Sequence, residues 1–183
     1  MSKVLTGVFM IGLLLLCQVS VSHAGNIFVL LPGIQGDATE PNHIGWIDVK
    51  SVSWGHGEAP PGSPIKIQFG RVSIVKLNDS ISASLALLGA TGQPIKDVKL
   101  EITKVVNEVP VVVSRMKLSN ARVASYATLA LSAGNEVNDS IGFSFDTITW
   151  INFKVAKVGQ QAPAPGSAAC WDVINNKTCV PQF

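Results

Sequence analysis

The sequence predicts a mainly β protein, a compact β-barrel of two curved antiparallel sheets with one short α-helix docked on it. Apolar and polar residues alternate with a period of two along most of the chain, which is typical of half-buried strands. The parity of the apolar positions switches at several places, which indicates strands that bend from one sheet into another. A single segment has helical periodicity instead.

The first 24 residues have the pattern of a secretory signal peptide. An apolar run at residues 8–16 follows a positive charge, and Ser-His-Ala at 22–24 is a small-x-small site, so we expect cleavage between Ala24 and Gly25. A retained membrane anchor is the alternative, but a span needs about 20 apolar residues and Gln18 interrupts the run. The predicted location is secreted or periplasmic, with no stable membrane span once the leader is removed.

Removal of the leader leaves 183 − 24 = 159 residues, which suits one domain with a sizeable core. The predicted division is a signal peptide at 1–24, a β-barrel domain at 25–158, and a linker with a C-terminal tail at 159–183. The composition of GQQAPAPGSAA indicates the linker. The chain is 47% hydrophobic, which excludes disorder, and its formal net charge of +2 is too small to recruit nucleic acid.

The strand pattern is clearest at residues 98–103, where apolar and polar side chains alternate without error. We expect its polar face, with Lys99 and Glu101, to be solvated surface, or to line a shared channel if the protein forms rings. The parity switches around residues 50–51 and again at Gly70, where a bulge or bend accounts for it. Further strands are expected at 27–31, 65–69, 111–118 and 123–131, and in a bent run at 141–155.

One short helix is expected to interrupt the strands. Asp79 or Ser80 is a good N-cap, and Gly89 is placed to end the helix. The apolar stripe consists of Ile81, Leu85 and Leu88. A helix of about two and a half turns is too short to be stable alone, so we expect it to pack on the sheet.

Two histidines in the segment HIGWIDVKSVSWGHG are the candidate catalytic or metal-binding groups. Asp48 or Glu58 could in principle assist them, but His43 and His56 lie at opposite ends of an expected strand, roughly 40 Å apart if it is extended. The sequence has no Gly-x-Ser-x-Gly elbow, no His-Glu-x-x-His motif and no phosphate-binding glycine loop. We therefore predict no catalytic residues, no cofactor, no metal and no enzymatic activity.

Three tryptophans allow two interpretations. Trp46, Trp54 and Trp150 could line a site for a sugar or a cation. Large aromatic side chains in a β protein are more often buried in the core or in subunit contacts, and Trp54 shares its parity with Val52. We therefore favour a packing role.

Two cysteines remain after Cys17 leaves with the leader. In an oxidising compartment Cys170 and Cys179 are expected to form a disulfide, which would restrain the tail by about 2–3 kcal/mol in the loop-entropy model. A metal site would need further ligands, and the histidines after the leader lie more than a hundred positions earlier. A redox motif usually has two intervening residues, whereas this pair has eight.

Three blocks of sequence resemble the Hcp family, the haemolysin-coregulated proteins that build the inner tube of type VI secretion systems. The first block carries Gly33-Ile34-x-Gly36 and GWIDV at 45–49, and the second carries Asp79-x-x-Ser82 before a short helix. The third carries Ser125-Tyr126 and ends at Ile148-x-Trp150. The blocks read NIFVLLPGIQGDATEPNHIGWIDVKSVSWG, VSIVKLNDSISASLALLGATGQPIKDVKLEITK, and MKLSNARVASYATLA with IGFSFDTITW. Together they cover about residues 26–155.

The resemblance implies a structural protein that assembles with itself. Family members form six-subunit rings that stack into a tube, carry small effector proteins in the lumen and are themselves secreted; they are not enzymes. The leader and the cysteine-bearing tail depart from this pattern, and the loop at 57–64 is shorter than the family's stacking loop. An exported binding protein of the same fold, acting in the periplasm or outside the cell, is therefore the alternative function.

Overall fold

The computed structural model describes residues 25–64, 67–130, 136–157 and 160–183. The predicted leader lies outside these ranges, so cleavage after Ala24 stays a prediction. Within them, no helix has the length and apolar character that crossing a membrane would require.

Twelve strands and one helix are found in the described part of the chain. The strands are β1 Ile27–Leu30, β2 Ile47–Val49, β3 Ser51–Ser53, β4 His56–Glu58, β5 Ile67–Phe69, β6 Val72–Leu77, β7 Ile95–Val106, β8 Val109–Ala130, β9 Val137–Ser144, β10 Thr147–Lys157, β11 Gln160–Asp172 and β12 Lys177–Thr178. The helix α1 is Ser82–Thr91.

The strands form two curled antiparallel sheets and a small ribbon. The first sheet has the order β12, β11, β10, β8, β7, β1, β2. In the second sheet β3 pairs with β6, β6 with β9, and β9 with the C-terminal half of β8. Strands β4 and β5 pair with each other in a separate two-stranded ribbon. The predicted class, mainly β with two curved antiparallel sheets and one short helix, is confirmed.

The chain passes between the two sheets at two bends. Strand β2 pairs with β1 and β3 pairs with β6, and between them the Lys50 N–H donates to the Val75 carbonyl at 2.7 Å. This bend explains the parity switch at residues 50–51. Strand β8 makes the second crossing at Asn120, whose φ of 52° is left-handed, a conformation that asparagine tolerates. The sequence predicted two strands here, whereas the structure has one bent strand.

The parity switch at Gly70 also marks a change of sheet. Strand β5 ends at Phe69 in the ribbon, and β6 begins at Val72 in the second sheet. Between them the Gly70 N–H donates to the Gly55 carbonyl at 2.9 Å. The predicted break is therefore present, while residues 65–66 of the expected strand lie outside the described residues.

The helix begins and ends later than the sequence predicted. The Asp79 carboxylate accepts the Ile81 N–H at 3.1 Å, but the helix itself begins at Ser82. It ends at Thr91 and is capped by Gly92, whose N–H donates to the Leu88 carbonyl at 3.0 Å and whose left-handed φ of 63° turns the following chain away from the helix. Gly89 was the wrong end point. It lies inside the helix and against Val123, where an added Cβ would approach Val123 Cγ1 to 3.2 Å.

One apolar core fills the space between the sheets, and the helix contributes to it. The predicted helical stripe is confirmed: Ile81 and Leu85 are buried, and Leu88 packs at the margin. Each fully buried aliphatic side chain stabilises the fold by about 1.5–3 kcal/mol. Other core members are Val29, Ile47, Val72, Ile74, Val98, Leu100, Leu118, Ile141, Phe143 and Ile148.

The C-terminal region extends the first sheet. Strand β11 pairs antiparallel with β10, with Trp150 opposite Ala169. This pairing differs from the linker expected at 159–169. The prolines are tolerated because β12 pairs only with residues 171 and 172, which leaves most of β11 as an edge strand.

Candidate functional site

The outer face of the first sheet, the side directed away from the core, carries a row of aligned side chains. Phe28 on β1 is opposite Glu101 on β7, and Glu101 is opposite Arg115 on β8. Ile151 on β10 continues the row beside Arg115. Because Val29, Leu100 and Met116 point into the core, the period of two directs this row to the other side of the sheet.

A loop at residues 36–46 lies over this row. Its two arms are joined by backbone hydrogen bonds: the Gly36 N–H donates to the Gly45 carbonyl at 2.8 Å, and the Ala38 N–H donates to the Trp46 carbonyl at 3.0 Å. Gly45 has a φ of 76°, and a Cβ on Gly36 would come within 2.3 Å of the Trp46 carbonyl oxygen. Both positions therefore require glycine.

His43 anchors the loop on the sheet. Its side chain is only 2% exposed, stacks on the Phe28 ring with centroids 4.1 Å apart, and meets the Trp46 ring edge-on at 4.9 Å. Nε2 lies 3.0 Å from Glu101 Oε2, and Nδ1 contacts Glu40 Oε2. Both ring nitrogens therefore face a carboxylate.

Arg115 completes the group that we call the His43 cluster, made of Glu40, His43, Glu101 and Arg115. Its Nε donates to Glu101 Oε1 at 2.5 Å, and its guanidinium lies 5.6 Å from the centroid of the Phe153 ring. The prediction that Glu101 is solvated is wrong, since only 8% of the residue is exposed. The loop covers the polar face of β7, which the alternation pattern alone does not reveal.

The partners of His43 were not predicted. Sequence reasoning considered Asp48 or Glu58, whereas Glu40 comes from the covering loop and Glu101 lies 58 positions away. His56 is exposed on β4, where its ring lies 5.0 Å from that of Phe69. The structure does not bring the two histidines into contact. Nothing in the sequence around Glu101 distinguishes it from the other polar residues of its strand, since Lys99 and Thr103 share its face.

A second polar group, the Lys76 cluster, connects the helix to the inner side of the second sheet. Lys76 is completely buried, and its Nζ donates to Asp79 Oδ1 at 2.7 Å and lies 3.5 Å from Asp139 Oδ2. Ser82, in the first turn of α1, donates to Asp139. These four residues make up the cluster.

The hydrogen bonds around Asp139 determine its ionisation. Burial of the carboxyl raises its pKa, but hydrogen bonds donated by Ser82, Asn78, Thr128 and Tyr126 outweigh burial and bring the pKa down to about 2. Asp139 is therefore ionised beside the Lys76 ammonium. At the edge of the first sheet burial instead raises the pKa of Asp48, and the charge of His43 partly opposes that shift.

The predicted cysteine pair lies at the far side of the same outer face. The Cα atoms of Cys170 and Cys179 are 5.0 Å apart, a separation that suits a disulfide, and the Thr149 hydroxyl contacts Cys170 Sγ at 3.5 Å. Beyond Cys179 the chain returns across the sheet. Phe183 borders a cavity of about 280 Å³ together with Trp46 and Lys99.

Two of the other tryptophans, Trp54 and Trp150, pack against each other. The rings of Trp54 and Trp150 lie with centroids 5.3 Å apart, and Trp150 also packs against the core. Trp54 remains 39% exposed. Among the described residues no group of three or more histidine, cysteine or acidic side chains could hold a metal ion.

A family model described as type VI secretion system effector, Hcp, matches residues 28–151. The chain belongs to the Hcp family. The matched region contains both sheets as far as Ile151 of β10, the helix, the His43 cluster and the Lys76 cluster. The cysteine pair and strands β11 and β12 lie beyond it.

Solved Hcp structures share this fold. A structure titled as a type six secretion system protein is 22% identical with a TM-score of 0.74, and the match covers 85% of this chain and 100% of that one. Hcp1 from Salmonella typhimurium is also 22% identical, with a TM-score of 0.71 and coverage of 85% and 99%. The secreted protein Hcp3 from Pseudomonas aeruginosa is 14% identical, with a TM-score of 0.61 and coverage of 81% and 98%. No curated protein matches the chain significantly.

Proposed function

We propose that this Hcp protein is a ring-forming structural subunit of a type VI secretion system. In this role six copies form a ring, rings contribute to a tube, small effector proteins travel in the lumen, and the protein is itself secreted. The observation that carries the proposal is the family match over residues 28–151, which spans the helix and strands from both sheets. The proposal needs no cofactor and no nucleic acid.

The proposal also holds that the protein acts by architecture and not by catalysis. The buried ionisable groups join structural elements: His43 holds a loop on β1 and β7, and Lys76 holds the start of the helix near β9. The described contacts of the His43 ring are with Glu40, Glu101, Phe28 and Trp46, and none of these is a serine, threonine or cysteine that the ring could activate.

A second candidate function rests on the leader and the cysteine pair. An Hcp-fold protein exported through the general secretory route would act in the periplasm or outside the cell as a binding protein, apart from any tube. An apolar run before Ser-His-Ala at 22–24 and two cysteines placed for a disulfide both suit an oxidising compartment.

Size-exclusion chromatography with light scattering tests self-association. We expect the purified protein to elute at six times the mass of one chain. A strict monomer at high concentration would contradict the ring.

N-terminal sequencing of the native protein separates the two candidates. A start at Gly25 would support export through the leader and weaken a tube assembled in the cytoplasm. An intact Met1 would support the tube subunit and overturn the exported binding protein.

A further inference from the structure

We propose that a cavity on the outer face of the first sheet binds a small aromatic acid, that is, one aromatic ring that carries an anionic group. The cavity is bordered by Trp46, Lys99, Lys117 and Phe183, beside the His43 cluster. This ligand site lies within one chain and goes beyond the proposed structural function, so it applies to a monomer and to a ring alike.

Two lysines face each other across the cavity. Lys99 on β7 is directly opposite Lys117 on β8, and both belong to the outer face. Residues at opposite positions of antiparallel strands have Cβ atoms about 5 Å apart, and like charges at such positions destabilise a sheet. Within the described part of the chain, neither lysine side chain has a hydrogen-bond or ion-pair partner. An anion bound between them would replace this repulsion with attraction.

The rows on either side of the lysine pair are complementary instead. In one row Arg115 Nε donates to Glu101 Oε1 at 2.5 Å. In the other the Ser119 hydroxyl donates to Asp97 Oδ1 at 2.8 Å. The Glu101 carboxylate borders the cavity, but its two oxygens already contact Arg115 and His43. The counter-charge for the lysines therefore has to come from an external anion.

Aromatic rings supply the other walls of the cavity. Trp46 comes from the end of loop 36–46, and Phe183 comes from the tail that follows the contact between the Cys179 N–H and the Cys170 carbonyl. Aromatic ligands stack on such rings or meet them edge-on. The tail lies beyond residues 28–151, so the cavity joins the Hcp region to a segment outside the family match.

The volume of the cavity limits the size of the ligand. It measures about 280 Å³, just below the range of roughly 300–1,000 Å³ that is usual for drug-sized molecules. A single ring with one acidic group suits this space. The paired lysines select the acidic group, and the aromatic walls select the ring.

Saturation-transfer NMR tests binding, because it observes the ligand and suits a monomer or a ring of the full chain. The probes are phenylacetate and phenyl phosphate, and the control is phenylacetamide, which has the same ring without a charge. At least one of the two acids should bind with a dissociation constant of about 1 mM or below, as expected for about ten non-hydrogen atoms. The better probe identifies the acidic group.

Lys99→Gln and Lys117→Gln test the anion contact. Each variant should weaken binding of the acid about tenfold, because a charged hydrogen-bond donor is lost. Neither variant should lower the unfolding temperature of the ligand-free protein, because each also removes the repulsion between the two lysines. Binding and stability therefore separate a ligand site from a purely structural role.

Phe183→Ala tests the aromatic wall. It should weaken binding of the aromatic acid roughly three- to tenfold, since an aromatic contact is lost. Acetate, which has no ring, should bind more weakly than phenylacetate to the wild type and should be insensitive to this variant.

Lys104→Gln is the matched control, because Lys104 is exposed on the same strand and does not border the cavity. It should bind the acid as the wild type does. An equal loss in Lys104→Gln, or equal binding of phenylacetamide, would show that no anion site exists. Saturation transfer from neither acid at about 10 mM would also overturn the proposal, and it would leave the ring-forming function untouched.

Discussion

The His43 cluster and the Lys76 cluster both place a buried nitrogen-bearing side chain beside two carboxylates, but the Lys76 cluster faces the core, whereas the His43 cluster lies on the outer face of the first sheet. Lys76 is on the core side, where it joins β6 to the helix and contacts Asp79 and Asp139. His43 is on the outer side, where it joins a loop to β1 and β7.

The two clusters also differ in how their carboxylates are held. In the Lys76 cluster, neutral donors from Ser82, Asn78 and Thr128 also bind Asp139, so the carboxylate stays ionised down to low pH. In the His43 cluster, Glu101 is held by the ring and by Arg115, whereas Glu40 contacts the ring from within the loop. The first arrangement holds the start of the helix on the second sheet, and the second holds loop 36–46 on the first sheet.

The largest effect is expected from breaking the Lys76 cluster. Asp139→Asn removes a charged partner from fully buried Lys76, which should lower the free energy of unfolding by roughly 3–5 kcal/mol. Urea unfolding measures this change. The exposed pair between Lys50 and Glu136 gives the control, and Glu136→Gln should cost at most about 1 kcal/mol. Equal losses in the two variants would show that burial of Lys76 has no energetic consequence.

The cysteine pair restrains the tail beside the outer face. If the disulfide forms, Cys179→Ser should lower the free energy of unfolding by about 2–3 kcal/mol, because the cross-link limits the unfolded chain. Mass spectrometry of the protein from an oxidising compartment should show a gain of about two daltons on reduction, one hydrogen for each thiol. Free thiols at Cys170 and Cys179 in that sample would show that the disulfide does not form.

Acid should affect the inner cluster in a defined range. The pKa of Asp139 is lowered to about 2 in the folded protein, against an ordinary 3.8, so its ionised form stabilises the fold above pH 3.8. That contribution, roughly 2 kcal/mol, is lost as the pH falls through about 2. Unfolding midpoints measured between pH 5 and pH 2, at about unit intervals, should fall more steeply for the wild type than for Asp139→Asn. Parallel curves would contradict this assignment.

The smallest effect is expected at the edge of the His43 cluster. Arg115→Lys keeps the positive charge but loses the Nε hydrogen bond to Glu101 and the guanidinium contact with Phe153, at a cost of about 1 kcal/mol. Thermal unfolding measures the change. Lys117→Arg, on the same strand and outer face, should be close to neutral, and an equal loss there would show that the Glu101 contact contributes nothing.

The sequence predicted the bends of the fold better than the ends of its elements. The parity switches at residues 50–51 and at Gly70 coincide with changes of sheet, because side chains must keep facing the core when a strand crosses over. The sequence predicted two strands where β8 is continuous through Asn120. A strand that bends at a left-handed asparagine interrupts the alternation of apolar residues in the same way as a turn between two strands. Gly89 was predicted to end the helix because the sequence does not reveal that Val123 packs closely against this position.

The His43 cluster could not be predicted from the pattern of alternation. That pattern tells which residues share a face of a strand, but not whether a distant loop covers that face. Glu101 is buried only because residues 36–46 fold over it, and its alignment with Phe28 and Arg115 depends on the strand register. The glycines at 36 and 45 were noticed as part of a family pattern, and the structure supplies their physical reason.

In the proposed function this protein works by assembling with itself, and its buried ionisable side chains hold structural elements in place. Electron microscopy of the purified protein tests that claim most directly. Averaged images should show closed rings with six-fold symmetry and an open centre. Images that contain only particles of single-subunit size, at concentrations where the fold is intact, would contradict it.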